Sequence, residues 1–357
     1  MKKPHEVTDL LRQLSDAHDI SFDTEVENAI REGFEKAHSN RSAIAIKVLT
    51  ILGGVLATLL FIGFLYVIDI FNSTWGMLSL GIGFIVGSIV LSRRVDLLIL
   101  DTIAVTLYAS GLLMFGMGLS AGGMHSDMVS LFIIIMALIT LVLIENYMLA
   151  FVAAIAVSAC SLQLAFDLRG AFWISLYLSL AVAGLTAWIK QEAVLITANP
   201  KLAILHSPIR LALVCTVLLS ASFLPVGYHA PYWYVALFPS LLSIGAILYL
   251  LPSILPSIGV QPKDEYVAYV AVTLVLVPIL FAPAIACVLL VMILCFSIKD
   301  RTGFVMGIIG LIYYIGVFYY NLDLSLLVKS LLLMGSGILL IVLYFLLHQY
   351  FQRHEKI

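Results

Sequence analysis

Charged residues are scarce in this chain, and their scarcity excludes a soluble globular fold. Only 11% of the 357 residues are Asp, Glu, Lys or Arg, whereas 62% are hydrophobic and the mean hydropathy is +1.10. A soluble domain carries about 25% charged residues. The formal net charge is −2, with no basic stripe outside the predicted loops, so we expect no nucleic-acid partner. We expect the chain to be embedded in a lipid bilayer.

Cysteine and catalytic motifs are also sparse. The four cysteines, Cys160, Cys215, Cys287 and Cys295, lie in apolar runs without a CxxC pair or a histidine at ligand spacing. We interpret them as small buried side chains rather than metal ligands or disulfide partners. The sequence has no HExxH, GxSxG, P-loop or dinucleotide-binding pattern. We therefore predict no metal, no cofactor and no enzymatic activity, and rank an activity on lipid-linked substrates third.

What the chain does have is a series of long apolar runs. Since lipid offers no hydrogen-bond partner to the backbone, runs of roughly 20 residues or more must cross the bilayer as helices. Charged residues, proline and glycine separate twelve runs, at 46–68, 74–91, 97–119, 127–144, 147–166, 171–189, 208–226, 231–251, 266–281, 283–298, 303–319 and 326–347. These predict an all-α polytopic transmembrane helical bundle of about twelve spans. Residues 266–298 are open to two readings, one kinked span or two.

Three regions follow from this division. Residues 1–43 are polar and carry two stretches with helical spacing of apolar residues, so we predict a short cytoplasmic helical hairpin there. The transmembrane domain occupies 44–347, and 348–357 form a cytoplasmic tail. The start of the chain has no apolar core of the kind that a cleavable signal peptide needs, so the first span is expected to direct insertion.

The positions of lysine and arginine predict the orientation. With the N-terminus inside and twelve spans, all but Arg169 and Lys329 of the 19 Lys and Arg residues fall on the inner side. Cytoplasmic loops are enriched in these residues. We therefore predict a multi-pass protein of the cell inner membrane with both termini in the cytoplasm.

Small residues predict where helices pack closely. Ser79, Gly83 and Gly87 recur every fourth residue in the second span, and Gly303 and Gly307 repeat that spacing in the eleventh. Such spacing lets two backbones approach each other within a membrane. Both stripes are interpreted as packing seams.

Few ionisable groups lie within the predicted spans, and each is a candidate functional residue because its burial in lipid is costly. Asp101 lies about one turn inside the third span, on a polar stripe with Thr102, Thr106 and Ser110. The stripe either lines a solute or proton path or is satisfied near the inner surface by Arg93, Arg94 or water.

Lys329 is the second candidate, because it lies in the first turn of the last span, where the helix dipole disfavours a cation. Asp323 is its nearest predicted partner, with Asp69, Asp127 and Asp167 as alternatives on the same side. An ion pair between helices, a side chain extended to the headgroups and a ligand site are all consistent with this placement.

The same segment carries a resemblance. Tyr320, Leu322, Asp323, Leu326, Leu327, Lys329 and Ser330, followed by an apolar helix with Gly335 and Gly337, resemble the signature of a bacterial membrane family known only as a domain of unknown function. The resemblance implies a polytopic inner-membrane protein. It also implies a small partner protein, because members are often accompanied by one with a GDYxxLxY motif. It implies no activity.

Two functions remain after these exclusions. The preferred one is a component of a membrane assembly, in which the region of Asp323 and Lys329 contacts a small membrane or periplasmic partner protein. The alternative is a secondary transporter that uses Asp101 and helices broken by proline, since eight of the eleven prolines lie between Pro225 and Pro283.

Overall fold

The fold was analysed in a computed structural model. It describes residues 72–94, 98–168, 170–198, 200–224, 233–255 and 265–321, with scattered positions between 53 and 67 and between 325 and 345. Of these residues 92% are helical and none is in a strand. The predicted all-α class is therefore confirmed. The predicted hairpin at 1–43 and the tail at 348–357 lie outside the described residues.

The described helices follow the predicted apolar runs except in 190–207, where the structure has a short helix and the start of the next helix that the runs did not predict. They are α1 (Thr74–Arg94), α2 (Leu98–Ala121), α3 (Ser126–Leu143), α4 (Tyr147–Asp167), α5 (Ala171–Lys190), α6 (Glu192–Ala198), α7 (Pro200–Ala221), α8 (Trp233–Ile254), α9 (Glu265–Leu276), α10 (Pro283–Ser297) and α11 (Arg301–Asn321). A 3-10 turn at Pro278–Phe281 separates α9 from α10.

Eight of these helices are long and apolar enough to cross a membrane, namely α1 to α5, α7, α8 and α11. Parts of the first and last predicted spans fall outside the described residues. The total of twelve spans therefore remains a prediction, whereas the multi-pass membrane class is supported by the described helices.

The bundle has two hydrophobic cores. One core joins α1 to α4 and contains Ile85, Phe115 and Leu149, all nearly inaccessible to solvent. The other joins α5, α7, α8, α10 and α11 through side chains that include Leu178 and Leu290. Helix α4 packs along α7 and connects the two halves.

Close backbone contact occurs on a different face of α1 from the predicted one. A Cβ atom at Gly81 would lie 2.7 Å from the backbone nitrogen of Phe115 and 3.0 Å from the carbonyl oxygen of Gly111. No described atom lies within 4 Å of a Cβ at Gly83 or Gly87. The seam between α1 and α2 therefore runs through Gly81 and Gly111.

The second predicted seam agrees with the structure. A Cβ at Gly303 would lie 2.5 Å from Cys295 Sγ, and one at Gly307 would lie 2.6 Å from Met292 Cγ. Both glycines are buried where α10 and α11 pack. Their spacing correctly indicates a close helix pair.

The region 265–300 enters and leaves the bundle at the same end. Ala268 at the start of α9 packs on Leu251 and Leu255, at the end of α8. Asp300, which follows α10, pairs with Arg210, and Arg210 also lies beside Glu192. Lys190, two residues before Glu192, donates to Ser253 near the end of α8. The region therefore consists of two short segments rather than one kinked span. At 1.5 Å per residue, α10 is only about 22 Å long, shorter than the roughly 30 Å hydrocarbon core.

Candidate functional site

Asp101 serves to anchor a helix cap. Its Oδ1 accepts a hydrogen bond of 2.7 Å from Nδ2 of Asn146, which is the N-cap of α4. Asn146 Oδ1 in turn accepts from the backbone N–H groups of Met148 and Leu149, at 2.9 and 3.3 Å. An N-cap side chain satisfies amides that the first helical turn leaves unpaired. Asp101 thus holds α2 against the start of α4.

The polar stripe beyond Asp101 hydrogen-bonds within its own helix. Thr106 Oγ1 donates to the carbonyl oxygen of Ile103 at 2.9 Å, and Ser110 Oγ donates to that of Thr106 at 2.8 Å. Such bonds satisfy a hydroxyl inside an apolar helix without a partner on another helix. Several other hydroxyls do the same, including those of Thr140, Ser158, Ser161, Ser179, Thr186 and Thr216. This geometry gives no support to a solute path along α2.

Lys329 makes contacts with aromatic residues and a carbonyl group. Its Nζ lies 5.3 Å from the ring centre of Tyr319 and 3.4 Å from the carbonyl oxygen of Tyr320. Its predicted partner Asp323 lies outside the described residues. Of the alternatives, Asp167 accepts instead from Ser126 Oγ, at 2.5 Å, and from Gln163. Among the described residues, no carboxylate forms an ion pair with Lys329.

A charged cluster that the sequence did not predict lies at the other end of the bundle. It consists of Trp188 at the end of α5, Glu192 at the start of α6, His206 and Arg210 on α7, and Asp300 before α11. We call these five residues the Arg210 cluster. They connect the short helix between the two halves of the bundle to the turn between α10 and α11.

Arg210 is shared between two carboxylates. Its Nη2 lies 3.2 Å from Asp300 Oδ2, and its Nη1 lies 3.7 Å from Glu192 Oε1. Only 16% of the Arg210 side chain and 13% of the Asp300 side chain are exposed. Asp300 Oδ1 also accepts from the backbone N–H groups of Thr302 and Gly303, at 3.1 and 3.4 Å, and so caps α11. Breaking such a buried pair leaves an uncompensated charge.

His206 is buried between α5 and α7. Its ring stacks on that of Trp188, with ring centres 5.6 Å apart and planes 7° from parallel. Trp188 Nε1 donates to the carbonyl oxygen of His206 at 3.3 Å, and His206 Nε2 lies 3.3 Å from the carbonyl oxygen of Trp188. The remaining ring nitrogen, Nδ1, lies 3.6 Å from Glu192 Oε1. Both ring nitrogens therefore face oxygen atoms.

The sequence held only a partial signal for this cluster. The charge distribution predicted that Arg210 lies on the inner side, at the start of the predicted run 208–226, and the structure places it within α7. Nothing in the spacing of Glu192, His206 and Asp300 indicates that they meet. Among the described residues, no group of three or more His, Cys, Asp or Glu side chains is arranged to hold a metal ion.

The helices define a multi-pass membrane protein, and several of its described charged side chains make contacts between helices near the two ends of the bundle. A family model described as a domain of unknown function (DUF4401) matches residues 44–350, and the chain belongs to that family. The resemblance to a family of unknown function is therefore confirmed, and the partner protein that it implies stays a prediction. Comparisons with curated proteins and with solved structures give no match.

Proposed function

We propose that this chain is a component of a membrane assembly, and that its outward end binds a small membrane or periplasmic protein. The supporting observation is a surface formed by the exposed Tyr320 with the half-buried Tyr319 and Lys329, which we call the outer patch. Tyr320 is 82% exposed, and Lys329 lies against Tyr319 without an ion pair to any described carboxylate. Aromatic residues are enriched at protein interfaces. In the proposed complex Lys329 binds a carboxylate of the partner.

The proposed location is the cell inner membrane, with both termini in the cytoplasm. The sidedness of lysine and arginine supports this orientation, and the described basic side chains Arg93, Lys190, Lys201 and Arg210 gather at one end of the bundle through their contacts. By the same rule that end is cytoplasmic. The outer patch then faces the periplasm.

Site-specific photocrosslinking tests the assembly role. A photoreactive amino acid replaces Tyr320 in the outer patch or, as the control, Ile312, which is 69% exposed on the same helix. Position 320 should give one discrete protein adduct, whereas position 312 should give lipid adducts only. Lys329→Ala in the position-320 variant should reduce the adduct, and Lys329→Arg should retain it. Equal protein adducts at both positions would reject the outer patch as the binding surface.

A secondary transporter is the alternative, and one observation favours it. The chain is broken between α9 and α10 by the 3-10 turn at Pro278–Phe281, and the two short segments return to the end where they began. Interrupted segments of this kind line substrate sites in transporters. Purified protein in proteoliposomes should then carry a proton or solute flux that Asp101→Asn abolishes. If the Asp101→Asn variant kept the flux, transport would not depend on Asp101.

A further inference from the structure

Lys190 is the last residue of α5, and its side chain lies against α8. Its Nζ donates to Ser253 Oγ at 3.2 Å and lies 5.0 Å from the ring centre of Tyr249. Lys190 and Ser253 are exposed, and 69% of Tyr249 is exposed. The end of a helix favours a cation. The ammonium group is therefore held between a hydroxyl group and an aromatic ring at the surface of the bundle.

Lys190 lacks the acidic partners that Arg210 has at the same end of the bundle. Arg210 pairs with Asp300 and with Glu192. Glu192 follows Lys190 by only two residues, but these contacts direct its carboxylate at α7. No described carboxylate forms an ion pair with Lys190. Its positive charge is therefore not balanced by a described side chain.

Unused hydrogen-bond donors surround this charge. A lysine ammonium group has three N–H donors, and Lys190 uses one of them on Ser253. The hydroxyl proton of Ser253 has no acceptor among the described residues, whereas Ser179 and Thr186 on α5 donate to carbonyl oxygens of their own helix. N–H and O–H donors beside a positive charge suit the anionic oxygens of a phosphate group.

An apolar surface continues from this polar group along α8. Tyr249, Leu242 and Phe238 lie on one face of the helix and are exposed. Gly245 lies between them on that face, and a Cβ atom there would meet no described atom within 4 Å. The surface is therefore recessed at Gly245, between the tyrosine ring and the two bulky side chains. A phosphate-binding group next to a recessed apolar surface matches the two parts of a phospholipid.

We propose that Lys190, Ser253 and Tyr249 bind the headgroup of an anionic phospholipid in the leaflet at this end of the bundle. Lys190 Nζ and Ser253 Oγ donate to the phosphate oxygens, and an acyl chain lies over Gly245. Anionic lipids attract basic side chains at the membrane surface. This site does not depend on the assembly role proposed above, because it lies at the opposite end of the bundle from the outer patch.

Native mass spectrometry of the purified full-length protein measures this site. The protein in a mild non-ionic detergent is titrated with dioleoyl phosphatidylglycerol or with dioleoyl phosphatidylcholine, which has the same acyl chains and no net charge. One basic side chain near the membrane surface contributes about 1 kcal/mol, or roughly fivefold in affinity. The first phosphatidylglycerol should therefore bind about fivefold more tightly than the first phosphatidylcholine. Equal affinity for the two lipids would overturn the proposal.

Substitutions of two lysines assign the preference to this site. Lys190→Ala should abolish the preference for phosphatidylglycerol, and Lys190→Arg should retain it. Lys201→Ala is the matched control, because Lys201 is an exposed lysine at the same end of the bundle that pairs with Glu145. It removes the same charge and should leave the preference unchanged. An equal loss in both alanine variants would show that general surface charge attracts the lipid, and the proposed site would be wrong.

Ser253→Ala provides a second test if Lys190→Ala does not fold, since it keeps every charge. It removes one donor to the phosphate group, so the preference for phosphatidylglycerol should fall about twofold or more. An unchanged preference would remove Ser253 from the site and contradict the proposed geometry.

Inorganic phosphate distinguishes a lipid site from a site for free phosphate. A large excess of inorganic phosphate should leave phosphatidylglycerol bound, because the free ion has no acyl chain to lie over Gly245. Release of the lipid would show that the site takes free phosphate, and the assignment to a phospholipid would be overturned.

Discussion

Several ionisable residues in this protein connect the ends of different helices. Asp101 holds the cap of α4, Asp300 caps α11 while it pairs with Arg210, and Arg93 Nη2 donates to the carbonyl oxygen of Leu143 at 2.6 Å. Helix ends leave backbone groups without partners, and a lipid environment makes an unpaired group costly. Asp101, Asp300 and Arg93 are therefore placed close to the ends of helices.

Asn146→Ala should destabilise the protein more than Asp101→Asn. The alanine variant loses the bonds to Met148 and Leu149 as well as the bond to Asp101, and loss of such a cap costs about 1 kcal/mol or more. An asparagine at position 101 can still accept from Asn146, so we expect a loss below about 0.5 kcal/mol. Thermal unfolding in detergent measures both.

Asp127→Asn is the matched control for the Asp101 variant, because Asp127 lies exposed in the first turn of α3. It should unfold as the wild type does. If Asp101→Asn proved more damaging than Asn146→Ala, the negative charge of Asp101 would have a role beyond the cap.

Asp300→Ala should be among the more damaging substitutions in the described part of the chain. It removes the cap of α11 and leaves Arg210 with only the more distant Glu192, and breaking a buried pair costs about 3 kcal/mol or more. Asp300→Asn keeps the capping oxygen and should lose less. The measurement is unfolding in mixed detergent micelles, with Asp127→Ala as the exposed control. Equal stability of the alanine and asparagine variants would show that the cap of α11 contributes little, because both variants lose the ion pair with Arg210.

At the scale of helices, the apolar pattern predicted which segments are helical, but not which helix faces meet. Residue spacing indicated a packing stripe of Ser79, Gly83 and Gly87 on α1. The structure instead places Gly81 against Gly111. Spacing reports only which residues share a face of one helix, whereas the face that meets a neighbouring helix is set by the packing of the folded bundle.

A matched pair of glycine substitutions tests this seam. Gly81→Ala places a methyl group 2.7 Å from the backbone nitrogen of Phe115, and backbone atoms cannot move aside as a flexible side chain can. Separating α1 from α2 should lower the free energy of unfolding by about 1–3 kcal/mol. Gly83→Ala and Gly87→Ala meet no described atom within 4 Å and should be near neutral. A Gly83→Ala variant as unstable as Gly81→Ala would contradict the observed packing.

The candidate site could be predicted only in part for the same reason, because residue spacing does not show which residues of different helices meet. Asp101 was recognisable from the sequence because a carboxylate inside an apolar run is unusual, but its partner Asn146 lies 45 residues away. The Arg210 cluster draws on the ends of α5, α6 and α7 and on the turn before α11, and each residue alone is typical of a membrane edge. Only the folded arrangement brings these charges together.

At the scale of the whole molecule, polar contacts lie towards two opposite ends. One end holds Arg93, the Arg210 cluster and the ion pair between Lys201 and Glu145. At the other end Ser126 donates to Asp167. The hydroxyl groups of Ser222 and Tyr314 also meet there, 2.7 Å apart. The apolar helix surfaces between these two ends are suited to contact with lipid chains. The excess of cations predicts that the first end is cytoplasmic.

Cysteine labelling in cells tests this orientation. An impermeant maleimide applied to intact spheroplasts should label Met124→Cys, before α3, and should not label Glu145→Cys, after α3; inverted vesicles should give the reverse. The unsubstituted chain is the control, because its four cysteines are buried or half-buried in helices.

Arg301→Cys extends the test to the two short segments. Since the neighbouring Asp300 pairs with Arg210, position 301 must label from the same side as position 145. Labelling of position 301 from the outside would show that residues 265–300 cross the membrane once, and the paired short segments would then be wrong.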